Sequence, residues 1–169
     1  MRVTAFVMLM VLVVLAVMTV RTLNRLPDAT LYLVRSEATS FTLVPTQRRL
    51  GSRDTESYAR LAVRALAAGP TREERQAGLG SAVPDGTEVR SASLRNGVLR
   101  VDLTGSFVAG GGSASMRGRL EQLRWTLTQP SSVDAVELLV EGEPLQVLGG
   151  EGLMVEPTWR RTGGEVPRW

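Results

Sequence analysis

The stretch TEVRSASLRNGVLRVDL, residues 87–103, predicts the centre of the fold. Its Asn96-Gly97 pair is a strong hairpin signal, because both central residues of a type I′ turn need a positive φ. In the second half of the stretch, apolar and charged residues alternate: Leu99, Val101 and Leu103 with Arg100 and Asp102. Alternation with a period of two predicts a strand with one buried and one solvent-facing side.

Strand and helix patterns continue on both sides of this hairpin. Further strands are predicted over residues 29–35, 41–50, 133–141 and 144–148. One main helix is predicted after Asp54 and a second after the glycines that end at Gly112. The order ββα, ββα, ββ predicts an α+β domain with a largely antiparallel sheet, two main helices packed on it, and one transmembrane helix before it.

Local signals support both helices. Asp54 can cap the first of them, and Thr71 with Glu74 forms a capping box for a brief helix that follows Gly69-Pro70. The second main helix carries four apolar residues within about 60° of one another at about 100° per residue. These are Met116, Leu120, Leu123 and Leu127. We interpret them as a core-facing stripe.

The composition excludes several classes of function. All 20 basic residues are arginines, and the chain contains no lysine, histidine or cysteine. Zinc sites with the usual ligands, cysteine or histidine nucleophiles, Schiff-base lysines and disulfides are therefore excluded. Three arginines precede residue 27, and the remaining 17 equal the 17 acidic residues in number. Without a basic stripe, we expect no nucleic-acid partner.

The N-terminal segment, residues 3–20, contains 18 residues without a charge. At about 1.5 Å per residue it spans about 27 Å, close to the hydrocarbon thickness of a bilayer. The apolar run exceeds that of a usual secretory signal and lacks an A-x-A-like cleavage site, so an uncleaved signal anchor is favoured over a signal peptide. We divide the chain into an anchor and spacer (1–26), a domain (27–156) and a flexible C-terminal tail (157–169).

The stretch GGGSASMRGRLEQLRWTLTQ, residues 110–129, resembles a phosphate-binding loop followed by a helix. It lacks the lysine of a Walker loop, and a dinucleotide fingerprint needs a βαβ unit, whereas the preceding strand belongs to a hairpin. We expect no nucleotide and no cofactor. An anion held at the helix N-terminus by Arg117 or Arg119 stays open. The competing interpretation is a strand-to-helix crossing at Gly110–Gly112, with a cap at Ser113 or Ser115.

Trp125 does not lie on the apolar stripe of the second helix; it is about 180° from Met116, near Gly118 and Glu121. It is interpreted either as an aromatic contact for a protein or glycan, or as a residue covered by the C-terminal segment or a loop. The candidate binding residues are Trp125, Gly118, Glu121, Gly110, Gly111, Gly112, Ser113 and Arg117. No catalytic and no metal-ligating residue is proposed.

Four segments together are similar to a known family. They are AAGPTREERQAGLGSAVPDGTEV, GVLRVDLTGSF, GGGSASMRGRLEQLRWTLTQ and SVDAVELLVEGEPL. In this order and spacing they resemble the GerMN domain of bacterial sporulation and germination proteins, over about residues 31–148. The resemblance implies an α+β fold akin to ring-building modules of envelope machines, and a single domain outside the cytoplasmic membrane. It implies a role in envelope assembly or peptidoglycan-associated processes.

Enzymatic function is weighed against binding. Asp102-Leu103-Thr104-Gly105 departs from the aspartic-protease motif by one inserted residue, and Glu141 and Glu143 are interpreted as solvated charges. We expect a non-catalytic, membrane-anchored extracytoplasmic binding or assembly module. Its expected partner is a cell-envelope protein or peptidoglycan, and a homo-oligomer stays open. The alternatives are a carboxylate-dependent glycan hydrolase acting on the cell wall, or a purely structural spacer.

Overall fold

A computed structural model describes residues 2–23, 28–37, 40–149, 152–161 and 168–169. Its helices are α1 (Arg2–Leu23), α2 (Thr55–Ala67), α3 (Arg72–Gln76) and α4 (Ser113–Leu127), with a short 3-10 helix at Gly105–Val108. Its strands are β1 (Ala29–Ser36), β2 (Phe41–Arg48), β3 (Leu79–Gly80), β4 (Val89–Arg95), β5 (Val98–Leu103), β6 (Ala135–Val140), β7 (Glu143–Pro144), β8 (Val147–Leu148), β9 (Leu153–Met154) and β10 (Thr158–Arg160). The mixed α+β class is confirmed.

The described strands form three sheets. The first has the order β2-β1-β3, the second has the order β10-β6-β5-β4 with β7 beside β6, and the third pairs β8 with β9. All pairs are antiparallel except β5 with β6, in which Leu99 lies opposite Val136 in parallel register. The expected, largely antiparallel arrangement is confirmed, and the one parallel pair among the described strands lies at the centre of the second sheet. Helix α4 connects β5 to β6 and returns the chain to the end of the sheet where β5 begins, so that β6 runs parallel to β5. Strand β5 therefore belongs both to the hairpin with β4 and to a parallel βαβ unit with β6.

The local signals of turn and cap are confirmed. Asn96 and Gly97 have φ values of 50° and 76°, as the hairpin between β4 and β5 requires. Asp54 caps α2, and its side chain accepts a hydrogen bond from the Ser57 amide. Thr71 caps α3 in a capping box. These features depend on contacts within a few residues, which is why the sequence predicts them.

The main core lies between α2, α4 and the sheets. The predicted stripe of α4 is confirmed, since Met116, Leu120, Leu123 and Leu127 are at most 5% exposed. In β1, alternate residues face two different clusters: Leu31 and Leu33 lie in the main core, whereas Tyr32 and Val34 pack in a smaller cluster with Trp125. Strand β1 is therefore covered on both faces.

Helix α4 also supplies hydrogen bonds to the backbone of β1. The Tyr32 N–H donates to Thr126 Oγ1 at 3.1 Å, and the Tyr32 carbonyl accepts from Gln122 Nε2 at 2.9 Å. Gln122 Oε1 in turn accepts from the Ala82 amide at 2.6 Å. Gln122 and Thr126 are both fully buried. Two polar side chains of the helix thus pair backbone groups that would otherwise be buried without a partner.

The N-terminal helix α1 runs over the segment predicted to be transmembrane. Among the described residues, no helix has the length and apolar character that a membrane span requires. The transmembrane role of residues 3–20 stays a prediction, and the predicted boundary between residues 26 and 27 lies outside the described residues.

The described parts of the C-terminal segment contact two of the sheets. Thr158–Arg160 forms β10 and pairs with β6, and Trp159 lies opposite Val136. Further along, the Phe41 amide donates to the Trp169 carbonyl at 2.7 Å, and the Trp169 amide donates to the Phe41 carbonyl at 3.1 Å. The flexible tail over residues 157–169 stays a prediction, since residues 162–167 lie outside the described residues.

Candidate functional site

Trp125, the leading candidate for a contact surface, is only 6% exposed. Its ring centroid lies 5.4 Å from that of Tyr32 and 6.5 Å from that of Trp159. The Arg161 guanidinium lies 5.7 Å from the ring centroid, within the range of a cation–π contact. Of the two interpretations, these contacts agree with a ring covered by the C-terminal segment, and the role of Trp125 as a binding residue stays a prediction.

The neighbours of Trp125 on α4 are also occupied. A Cβ atom added at Gly118 would lie 3.0 Å from the Ala82 Cβ and 3.4 Å from Cζ2 of Trp169. Gly118 therefore does not leave free space above the helix; it permits the close approach of these two residues. Glu121 forms an ion pair with Arg124 at 3.4 Å, and both side chains are largely buried. Neither residue presents an unoccupied contact to solvent.

The glycine loop takes the crossing role expected in the competing interpretation. Gly110 and Gly111 have φ values of 57° and 91°, which favour glycine. The cap of α4 is Gly112 itself, without a side-chain cap, so the expectation of a serine cap is wrong. Ser113 is the first helical residue, and Arg117 is exposed. A small cavity of about 220 Å³ adjoins this loop; it is lined by Gly111, Gly112, Ser113, Met116, Leu148, Gly149 and Leu153.

Arg119 lies behind the glycine loop and is 4% exposed. Its guanidinium donates to the carbonyl oxygens of Ala82 at 3.1 Å, Phe107 at 2.8 Å and Gly110 at 2.7 Å. Burial lowers the pKa of Arg119 from its ordinary value. The sequence left open an anion site at the helix N-terminus that involves Arg119. Because the guanidinium donates to three backbone carbonyls instead, Arg119 is not available to hold an anion there.

A groove with a volume of about 440 Å³ lies where the start of β1 meets the cap of α2. We call it the cap groove. It is lined by Asp28, Ala29, Thr30, Gln47, Ser52, Arg53, Asp54, Thr55, Tyr58, Gln129 and Pro130. Most of these residues are polar, and Gln47 and Arg53 are exposed. None of them was singled out as a binding residue from the sequence, because the segments that contribute them are far apart along the chain.

Both carboxylates of the cap groove are engaged by backbone amides. Asp28 accepts hydrogen bonds from the amides of Leu50 at 2.6 Å and Gly51 at 2.7 Å. Partial burial acts to raise the pKa of Asp28, but these amides hold it below its ordinary value. The Ser57 amide likewise lowers the pKa of Asp54. Both groups are therefore kept ionised, as capping and turn-forming carboxylates are.

A second carboxylate cluster lies at the end of β5. Asp102 is 9% exposed, accepts from the Gly142 amide at 2.8 Å, and pairs with Arg90 at 2.9 Å. Glu141 accepts from the Gly105 amide at 2.7 Å and lies 3.4 Å from Arg90. The expectation of a water-facing Asp102 is corrected, whereas Glu141 is exposed, as expected, and makes these contacts in addition. The two carboxylates share one arginine and fasten the turns after β5 and β6.

The burial of three polar residues of α4 was not predicted from the sequence. Arg119, Gln122 and Thr126 follow one another at spacings of three and four residues, beside the apolar stripe. That spacing places them on one face of the helix. A row of polar residues beside the apolar stripe was the signal that could have indicated buried polar side chains, but the same row is equally typical of a solvent-exposed helix face. Only the position of β1 and of residues 82–110 shows that this face is buried.

The architecture defines an α+β domain in which helices connect successive pairs of strands, and the carboxylates of Asp28, Asp54, Asp102 and Glu141 accept hydrogen bonds from backbone amides. Within the described part of the chain, no group of three or more potential metal-ligating side chains is found. Residues 30–146 match the family Germane, described as "Sporulation and spore germination". The chain belongs to this family, as the resemblance of its four segments to the GerMN domain predicts.

Solved structures have the same fold. The first GerMN domain of the sporulation protein GerM from Bacillus subtilis is 24% identical, with a TM-score of 0.64, over 79% of this chain and 96% of that one. The tandem GerMN domains of the same protein are 22% identical, with a TM-score of 0.60, over 79% of this chain and 44% of that one. A putative lipoprotein from Clostridium perfringens is 18% identical, with a TM-score of 0.55, over 78% and 85%. No curated protein matches the chain.

Proposed function

We propose that the chain is a non-catalytic binding and assembly module of the bacterial cell envelope, held at the cytoplasmic membrane by residues 3–20. Its domain lies outside the cytoplasm, and its partner is a cell-envelope protein or peptidoglycan. The observation that favours binding over catalysis is the hydrogen bonding of the carboxylates. Those of the cap groove and of the cluster at β5 accept hydrogen bonds from backbone amides.

The alternative of a glycan hydrolase needs two carboxyl groups in different states. One must have a raised pKa so that it can protonate the leaving group, while the other stays ionised. In the cap groove the pKa values of Asp28 and Asp54 are both lowered instead. Asp102 and Glu141 both contact Arg90, and each also accepts a hydrogen bond from a backbone amide. These environments support binding over acid catalysis.

The cap groove supports a binding module over a structural spacer. It is a concave surface of about 440 Å³ with an exposed arginine, Arg53, and exposed hydrogen-bonding groups such as Gln47. A concave polar surface of this kind suits a hydrogen-bonding partner. A spacer would need only an even surface.

The proposed anchor is supported by the exposed side chains of α1. Between residues 8 and 18 its large apolar side chains are 46–67% exposed. They are Met8, Leu9, Met10, Val11, Leu12, Val13, Val14, Leu15, Val17 and Met18. A continuous apolar helix surface of this kind is unfavourable in water and favourable in lipid. We therefore assign residues 3–20 to a single membrane pass.

The topology is tested with protease added to intact spheroplasts. We expect the domain after residue 27 to be digested, because the proposal places it outside the membrane. A cytoplasmic marker protein that stays intact serves as the control for lysis. Full protection of the domain would show that the proposed orientation is wrong.

The role of the cap groove is tested by photo-crosslinking in intact cells. A benzophenone amino acid at Gln47, which lines the groove, is expected to form an adduct with an envelope protein or with peptidoglycan. The matched control carries the same group at Gln146, an exposed glutamine away from the groove. Equal labelling at both positions, or labelling at neither, would contradict the proposed site.

A further inference from the structure

The C-terminal strap, residues 158–161 and 168–169, contacts both large sheets. Its first part, β10, pairs with β6 of one sheet. The backbone of Arg168 forms an isolated antiparallel β-bridge with Thr42 of β2 in the other sheet. The strap contributes Trp159 and Trp169 to the smaller aromatic cluster around Trp125. The family match ends at residue 146, so the strap lies outside the part of the chain that defines the family.

The last two residues of the strap occupy a groove beside the edge of β2. The rings of Trp169 and Phe41 are stacked with centroids 6.2 Å apart, and the backbones of the two residues exchange two hydrogen bonds. Arg168 pairs with Glu37 at 2.6 Å. At this edge Phe41 pairs with an extended backbone and stacks on an aromatic ring, and Glu37 pairs with a basic side chain.

The fit of the strap is incomplete in three respects. A cavity of about 220 Å³ remains beside Trp169; it is lined by Val34, Ser36, Phe41, Gly80, Ser81, Ala82, Ala114, Ser115, Gly118 and Trp169. The Trp169 Nε1 atom is buried and has no acceptor among the described residues. On the side away from β1, the described pairing of β2 consists of the single bridge at Thr42. A longer occupant could fill the cavity and pair with more of the strand.

We propose that this groove is a docking site for an extended segment of a partner protein, in which a basic residue precedes an aromatic one. The segment adds to the edge of β2 by backbone hydrogen bonds, its aromatic ring lies on Phe41, and its basic side chain pairs with Glu37. Strand addition at an exposed sheet edge, with pockets that select side chains, is a general mode of peptide recognition. Arg168 and Trp169 occupy the site in cis when no partner is bound.

This inference rests on the proposed function as a binding module and names a second site on it. It is tested with the purified full-length chain in mild detergent and a fluorescein-labelled peptide, GGEVPRW, by fluorescence anisotropy. The wild-type chain is compared with Trp169→Ala, which removes the ring of the cis occupant. If the strap fills the groove about nine-tenths of the time, the variant is expected to bind the peptide about ten-fold more tightly than the wild type.

A second variant keeps the test valid if Trp169→Ala fails to fold. Arg168→Glu alters a side chain that is 64% exposed, and it breaks the ion pair with Glu37. It is also expected to bind the peptide more tightly than the wild type. The matched control peptide, GGEVPEW, reverses the charge opposite Glu37 and is expected to bind at least about ten-fold more weakly than GGEVPRW, a change within the range of a charge-reversal effect.

Three results would overturn the proposal: equal affinity of the wild type and both variants, no binding to any of them, or equal affinity for the two peptides. A wild-type dimer that dissociates in Trp169→Ala, measured by analytical ultracentrifugation, would assign the groove to a second copy of the chain and overturn the partner assignment. Because purified components are used, a failure here is distinguishable from a failure of the proposed envelope location.

Discussion

Arg119→Met is expected to lower the free energy of unfolding by about 3–5 kcal/mol. The guanidinium donates to the carbonyl oxygens of Ala82, Phe107 and Gly110, and the side chain is buried. Methionine fills a similar volume but donates no hydrogen bond, so these oxygens lose their partner. Each unsatisfied buried acceptor costs about 1–3 kcal/mol, and removal of the desolvated charge offsets part of the sum. Urea unfolding followed by far-ultraviolet circular dichroism measures the change.

Arg117→Met is the matched control, because Arg117 lies on the same helix and is exposed. It is expected to change stability by no more than about 0.5 kcal/mol. Arg119→Lys is expected to be intermediate, since an ammonium group retains the charge but lacks the planar fork of donors. A loss below about 1 kcal/mol in Arg119→Met would show that the three hydrogen bonds do not hold the glycine loop, since one unsatisfied acceptor alone should cost that much.

Trp125→Ala is expected to lower the free energy of unfolding by about 3–5 kcal/mol. The indole is 6% exposed and lies between Tyr32, Trp159 and Arg161, so its removal leaves a cavity between α4, β1 and the strap. The same urea titration measures the loss. The strap should also become more sensitive to limited proteolysis, because Trp159 and Arg161 lose the ring against which they pack.

Trp125→Phe is the graded control for this variant. It retains an aromatic ring beside Tyr32 but fills less of the space, so the expected loss is smaller than that of Trp125→Ala. Trp125→Ala could instead unfold at the same urea midpoint as the wild type while it loses crosslinking in cells. That result would show that packing of the ring does not stabilise the fold, and it would favour the interpretation of Trp125 as a contact surface.

Arg119 and Trp125 together explain why α4 is central to this domain. Arg119 fixes the glycine loop and the segment around Ala82, and Trp125 provides the surface on which the strap lies. Between them, Gln122 completes the hydrogen bonding of β1. The helix that seemed to follow a phosphate-binding loop instead organises the contacts between the sheets and the C-terminal segment.

The candidate site was only partly accessible from the sequence. The glycine loop was correctly interpreted as a crossing from strand to helix, but its cap is Gly112 and not a serine. The cap groove was missed, since Asp28, Gln47, Asp54 and Gln129 belong to four separate segments. A groove forms where elements meet, and no periodicity within one element reports which other element lies beside it.

Features that depend on contacts within one or two turns of chain are predictable from the amino-acid sequence alone. These are the Asn96-Gly97 hairpin, the Asp54 and Thr71 caps and the apolar stripe of α4. Their energetics are set by local φ and ψ values and by neighbours three or four residues away. A reader of the sequence can therefore evaluate them without knowing the fold.

Three other features depend on the packing of the whole domain: the parallel pairing of β5 with β6, the burial of Arg119 and the placement of the strap over Trp125. Each joins residues far apart in the chain, and the same residue pattern is compatible with several partners. A strand edge can pair with any extended segment that reaches it, and a buried guanidinium is stable only where carbonyl oxygens converge on it. The packing of the whole domain determines which segments come together, because the free energy gained by burial depends on all the surfaces that contact one another.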